Sequence, residues 1–202
     1  MTERQFFWGL ANGIIVLAIA GVFWFGMALG PYAAEAGWLL CTVVTLITYG
    51  SCGAIIWAAF RLRHKFGFKR SELRQSNDLQ RMINRKIMIS FRWIGIVQTL
   101  LVILAVFFCL YLEHKEFIWP LIGLIVSAHF VPLARVFHVR PYYYIGIAGS
   151  VISLLALLNF FGFRSLMYFG IEMGIIMWLS AVYILFHANR ICAKAILEPW
   201  SD

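Results

Sequence analysis

Long apolar stretches separated by short polar ones dominate the pattern of this chain. Each of the six stretches has at least 18 residues, and none alternates as a half-buried strand does. About 20 apolar residues in a helix cross a bilayer core about 30 Å thick. A helix also satisfies its own backbone hydrogen bonds in lipid. We therefore predict an all-α, six-transmembrane-helix bundle, one membrane domain over residues 1–202, with spans at 6–29, 38–60, 87–112, 117–134, 142–161 and 167–186.

The distribution of basic residues predicts the orientation of these helices. Nine of the 17 Lys and Arg residues lie between Arg61 and Lys86, in the connection after the second stretch. Residues 135–141 and the end of the chain, on the same predicted side, are also basic, whereas the opposite connections hold only Lys115 and Arg164. Because basic loops stay on the cytoplasmic side, we expect both termini in the cytoplasm.

The stretch "SELRQSNDLQRMINRK", residues 71–86, has the pattern of an amphipathic helix. Ser71 suits the N-cap position, and Leu79, Met82 and Ile83 recur at helical spacing. We expect a cytoplasmic helix that runs into the third span and lies on the headgroups or binds a partner. The basic residues of 61–86 would contact anionic lipid headgroups.

Composition supports a membrane protein. The chain of 202 residues is 62% hydrophobic and only 13% charged, with a mean hydropathy of +0.84, whereas soluble domains carry about 25% charged residues. The net charge of +8 would indicate nucleic acid in a soluble protein. Here the basic loop accounts for it, so we expect no nucleic-acid partner.

The sequence contains none of the cofactor-binding or enzyme motifs that we searched for. The chain has four cysteines, and none of them forms a CxxC pair; they are Cys41, Cys52, Cys109 and Cys192. We interpret them as apolar packing residues. A disulfide between Cys41 and Cys109 stays open. No zinc-protease, phosphate-loop or nucleophile-elbow motif occurs. The sequence predicts no metal, no cofactor and no catalytic residue.

Polar side chains inside the spans are the candidate ligand-binding residues, because an ionisable group in lipid needs a partner or a purpose. Asn12, Arg92, Gln98 and His129 fall at related depths in the predicted cytoplasmic half, and His187 lies at the inner edge. We expect the first four to line a cavity that opens to the cytoplasm. The alternative makes His129 a hydrogen-bonded packing residue and Arg92 an anchor that reaches the headgroups.

The segment "VSAHFVPLAR", residues 126–135, concentrates polar groups within one span. Pro132 has no N–H, so the carbonyl of Ala128 loses its helical donor and the helix is expected to kink. That carbonyl, the Ser127 hydroxyl and the His129 imidazole then lie within about one turn. Neighbouring helices or water must satisfy them.

Glu172 lies between Gly170 and Gly174, a spacing that lets two helices approach closely. With Asn159 it forms a second polar pair near the predicted outer face. We weigh cation or proton binding by Glu172 equally against a hydrogen bond across helices.

The segment "HFVPLARVF", followed by "YYYIGIAGSVISLLALL", resembles the HFxPLA-type segment of a family of small bacterial multi-pass membrane proteins with no assigned function. The resemblance covers roughly residues 87–160 and rests mainly on seven positions, which are His129, Phe130, Pro132, Leu133, Ala134, Tyr143 and Gly146. It implies a protein of the bacterial inner membrane and carries over no activity.

Three hypotheses for function follow. The first is binding or transport of a small ligand or ion through the polar cavity of Asn12, Arg92, Gln98, Ser127 and His129, with Glu172 as a separate site. The second is a non-enzymatic accessory protein that acts through helix contacts, as a homo-oligomer or with a membrane partner. A lipid-headgroup enzyme is the weakest, because no nucleophile and base share a face.

Overall fold

The structure is a computed structural model that describes residues 3–30, 37–65, 78–137, 139–158 and 165–197. Within these ranges the chain forms α-helices and one 3₁₀ turn, Lys115–Phe117, and no strand. The helices are α1 (Glu3–Leu29), α2 (Trp38–Lys65), α3 (Asp78–Tyr111), α4 (Ile118–Ala128), α5 (Phe130–Phe137), α6 (Pro141–Leu157) and α7 (Ser165–Leu197).

The predicted all-α class is confirmed for the described ranges, and five segments are long and apolar enough to cross a membrane, as a multi-pass protein requires. They are Gly9–Leu29, Leu39–Leu62, Arg85–Tyr111, Lys115–Phe137 and Leu166–Ala188. The fourth combines the 3₁₀ turn, α4 and α5. Helix α6 is apolar but has only 17 residues, so it falls short of the length of the others.

Several helix bounds differ from the predicted spans. The fourth span continues past residue 134 to Phe137, and α6 begins at Pro141. Residues 159–161 of the predicted fifth span, with Asn159, lie outside the described residues. Helix α3 begins at Asp78 and runs without interruption into the membrane segment. Residues 71–77 of the predicted amphipathic helix, and 66–77 of the basic loop, also lie outside the described part.

Helices α1 and α7 pack antiparallel along their length and form the centre of the bundle. Lipid tails are as apolar as leucine, so helix association in a bilayer depends on close packing and hydrogen bonds. A Cβ atom added at Gly170 would lie 2.9 Å from the carbonyl oxygen of Trp24, and one at Gly174 would lie 2.8 Å from the Phe25 ring. The Trp178 indole N–H donates to the carbonyl oxygen of Ala18, 3.0 Å away. The two glycines around Glu172 therefore serve this contact.

A second seam of small residues joins α6 to the α4–α5 segment. A Cβ at Gly146 would come within 2.8 Å of Val131, and one at Gly123 would lie 3.0 Å from the Ser153 hydroxyl. Because residue numbers rise along one helix as they fall along the other, α6 runs antiparallel to α4–α5 and beside it.

Helices α2 and α3 lie at the periphery. In the most apolar part of α2 only 11% of residues are buried, and in α3 only 6%, against 39% in α1 and in α7. Helix α2 packs on α1 and touches α7, whereas α3 packs on α4 and α5. Large apolar side chains such as Leu46, Phe107 and Leu104 are exposed, as expected where the solvent is lipid.

Replacing Gly170 by leucine should force α1 and α7 apart, because an added Cβ atom would lie 2.7 Å from the Ala28 Cβ atom and 2.9 Å from the Trp24 carbonyl oxygen, and neither atom can rotate away. We expect a loss of about 1–3 kcal/mol or more in unfolding free energy. The measurement is unfolding by denaturing detergent in mixed micelles.

The matched control is Gly53→Leu on α2, where an added Cβ has nothing within 4 Å. It should stay within about 0.5 kcal/mol of the unmodified protein. Equal losses for the two variants would contradict the packing account.

Candidate functional site

The helix of the fourth span is interrupted at His129, close to Pro132, where a kink was expected. Helix α4 ends at Ala128 and α5 begins at Phe130. The His129 amide still donates to Ile125, at 3.2 Å, and the Leu133 amide to His129, at 3.3 Å. Pro132 has no amide hydrogen to give to the Ala128 carbonyl. The Ala128 carbonyl, beside Ser127 and His129, therefore lacks the donor that a regular helix would supply.

Ser127 is fully buried, and its hydroxyl has no hydrogen-bond partner within the described residues. It contacts the Cα position of Gly149 on α6, where a Cβ would overlap the hydroxyl and would also lie 3.5 Å from the Met173 sulfur. The neighbouring Ser153 is buried too, but its hydroxyl donates to the Gly149 carbonyl oxygen at 2.7 Å. Of these two serines, Ser127 alone keeps an unused donor and acceptor.

His129 is partly buried and forms contacts that favour a packing role. Its Nδ1–H donates to the Val126 carbonyl oxygen of the preceding helix, α4. Its ring lies 4.4 Å, centroid to centroid, from Phe130, and Phe130 in turn lies 5.7 Å from the Tyr142 ring on α6. The Nε2 atom remains for a second partner.

Gln98 and Arg92 occupy different faces of α3. Gln98 lies 11 residues from both Ile87 and Cys109, which are buried, so it shares the face that α3 turns to the bundle. Phe91 contacts Phe137 with ring centroids 5.9 Å apart. This contact, with the antiparallel course of α3 and α4–α5, places Gln98 level with the break at His129.

Arg92, by contrast, is exposed and forms no ion pair with any residue that the structure describes. It therefore lies on a different face of α3 from Gln98, away from the bundle. This side of α3, which is turned away from the bundle and which we call its outer face, suits an anchor or a contact with another molecule.

The remaining candidates separate into two regions. Asn12 is partly buried and adjoins Gly13, whose Cα position meets the Tyr142 hydroxyl, so it belongs to the level of Phe130 and His129. Glu172 is partly exposed on α7, between the two glycines that face α1. The His187 Nδ1–H donates to the Tyr183 carbonyl oxygen of its own helix, 3.0 Å away.

Three cavities in the described chain are lined by other residues. A cavity of about 280 Å³ lies between α1 and α2, one of about 290 Å³ lies beside Cys109 and Leu157, and one of about 470 Å³ lies beside Arg61 and Leu185. The first of them contains Thr45, Thr48 and Tyr49. Sequence reasoning missed these hydroxyls, although three at positions i, i+3 and i+4 of an apolar span were a signal.

The described residues offer little for metal or redox chemistry. No group of three His, Cys, Asp or Glu side chains in them could hold a metal ion. Cys41, Cys52 and Cys109 are free thiols, so Cys41 and Cys109 are not paired. The Ser127 hydroxyl makes no bond to an imidazole, so it lacks the base that an activated nucleophile needs. Comparisons with protein-family models, curated proteins and solved structures found no match to this chain.

Replacing Ser127 by alanine should leave the unfolding free energy unchanged or raise it by about 1 kcal/mol, because it removes a buried hydroxyl that lacks a partner. Ser153→Ala is the matched control, and it should lower the free energy by about 0.5–1.5 kcal/mol through loss of its hydrogen bond. Denaturing-detergent titration measures both. A larger loss for Ser127→Ala than for Ser153→Ala would show that the Ser127 hydroxyl has a partner in the membrane.

Proposed function

We propose that this protein is a non-enzymatic accessory protein of the membrane, which acts through contact of α3 with a helix of another membrane protein or of a second copy. The observation that carries the proposal is the outer face of α3. There Arg92, Gly95 and Thr99 share one side of the helix at positions i, i+3 and i+7, and all three are exposed.

The same chemistry marks contacts inside the bundle. Gly170, Gly174, Gly146 and Gly149 each lie where a second helix passes within the reach of a Cβ atom. Gly95 is followed four residues later by Thr99, the small-xxx-small spacing that lets membrane helices approach closely, yet nothing lies within 4 Å of its Cβ position. An exposed guanidinium one turn away favours a partner that offers hydrogen-bond acceptors.

We further propose that the chain crosses a bacterial inner membrane six times, with both termini in the cytoplasm. Helix α6 lies antiparallel to the spanning segment α4–α5, and its 17 residues extend about 25 Å at about 1.5 Å each, most of the hydrocarbon thickness of about 30 Å. The basic loops then share one side, as the positive-inside rule requires.

The beginning of the basic loop fits contact with anionic headgroups. The Arg61 guanidinium lies over the Trp57 ring, 4.5 Å from its centroid, and both side chains are exposed. An indole and a guanidinium together suit the headgroup level of a bilayer. Residues 61–86 would then hold this end of α2 and the start of α3 at the inner surface.

A second candidate function, binding of a small ligand or ion, is favoured by one observation. Asn12, Gln98 and His129 fall at one level of the bundle, and the buried Ser127 hydroxyl beside them lacks a partner in the described chain. If this layer holds a ligand, added ligand stabilises the unmodified protein and has no effect on Ser127→Ala.

Replacing Gly95 by leucine should abolish the partner contact and leave the fold intact, because no other part of this chain lies within 4 Å of a Cβ atom at this position. The measurement is cross-linking of the tagged protein in its native membrane. A product of twice the 23.2 kDa chain mass identifies a second copy, and another mass identifies a different partner.

Gly53→Leu on α2 is the control and should leave the cross-linked product unchanged. The proposal fails if no product forms with the unmodified protein, or if Gly95→Leu gives as much product as Gly53→Leu.

A further inference from the structure

The cavity between α1 and α2 is built from a glycine surface on one helix and a line of hydroxyls on the other. Gly26 of α1 and Gly30, directly after its end, border it, and a Cβ added at either meets nothing within 4 Å. Thr45, Thr48 and Tyr49 of α2 border the opposite side. Its volume of about 280 Å³ is near the lower end of the range of about 300–1,000 Å³ typical of small-molecule sites.

The hydroxyls of this cavity form no hydrogen bond within the described chain. The contrast with Thr99 and Ser153 is informative, because these two donate to the carbonyl four residues earlier, at 2.9 Å and 2.7 Å. An unpaired polar group in hydrocarbon costs several kcal/mol. Thr45, Thr48 and Tyr49 are therefore available to a molecule that enters from the membrane.

The depth of the cavity matches one leaflet. From Leu40 to Tyr49, both of which border the cavity, α2 rises about 14 Å at about 1.5 Å per residue, and half of the hydrocarbon core is about 15 Å. Tyr49 lies within two residues of the middle of the span Leu39–Leu62 and is 65% exposed. Phenol groups in membrane proteins favour the headgroup level, so this one is unusually deep.

The lining selects the kind of molecule. None of the described residues that border the cavity is charged, so an ionised headgroup would find no counter-charge at this depth. The three neutral hydroxyls can donate hydrogen bonds to the carbonyl oxygens of a ligand. The rings of Phe25 and Tyr49 offer a flat apolar surface for it to contact. An acyl chain would use the apolar surface and leave the hydroxyls unpaired.

We propose that the cavity between α1 and α2 binds an uncharged, carbonyl-bearing lipid of the quinone type, with a carbonyl oxygen near Thr45 and Tyr49 at mid-membrane depth. The site is separate from the outer face of α3, and its occupancy does not depend on the accessory function proposed above.

The test uses the full chain in nanodiscs with decylubiquinone as the probe and decylbenzene, which has the same tail and no oxygen, as the matched compound. Decylubiquinone should raise the unfolding temperature in a saturable way, since a ligand of the folded state stabilises it by mass action, and decylbenzene should not. Tyr49→Phe and Thr45→Val, which keep the volume of the cavity, should each weaken binding by up to about tenfold, the value of one hydrogen bond.

Gly26→Leu should fill the cavity without a clash and abolish the shift, whereas Gly95→Leu on α3 should retain it. Equal shifts with the two compounds would overturn the proposal by showing that the cavity takes an apolar chain only. An undiminished shift in Gly26→Leu, or in Tyr49→Phe and Thr45→Val together, would also overturn it. Loss of the cross-linked partner in Gly95→Leu with retained quinone binding separates this site from the accessory function.

Discussion

A lipid solvent leaves each polar group of this chain to find its partner within the chain, and that constraint governs the rest of the structure. The backbone answers it by forming helices throughout the described ranges. Side chains answer it in the same local way: Ser153, Thr99, His129 and His187 all donate to carbonyl oxygens three or four residues earlier on their own or the adjoining helix. The groups that do not, notably Ser127 and Tyr49, are therefore the informative ones.

The same solvent removes the hydrophobic drive that packs soluble helices, so small residues decide which helices meet. Two seams result, one of α1 with α7 through Gly170 and Gly174, and one of α6 with α4 through Gly149 and Ser127. Helices α2 and α3 belong to neither seam and lie at the periphery. Open glycines on α1 and α3, Gly26 and Gly95, locate the surfaces to which we propose that other molecules bind.

The sequence was sufficient for the helical class and for five of the six predicted membrane segments, because length and hydropathy alone determine which helices can cross lipid. It also predicted a kink from the amide hydrogen that Pro132 lacks, and α4 ends at Ala128, four residues before that proline. The partners of the polar residues could not be predicted, because they depend on the rotation of each helix about its axis. Arg92 and Gln98 are six residues apart, yet one faces outward and the other faces the bundle. The cavity of Thr45, Thr48 and Tyr49 was missed because single hydroxyls in an apolar span usually bond to their own helix.

In the six-crossing arrangement proposed above, α6 traverses the bilayer beside α4–α5, and the polar residues around His129 lie among helices that all cross it. The most direct measurement places an epitope at each end of the chain and tests its accessibility to antibody in sealed, oriented membrane vesicles. Both epitopes should be accessible from the cytoplasmic face and protected from the other. Epitopes on opposite faces would mean an odd number of crossings and would contradict the account.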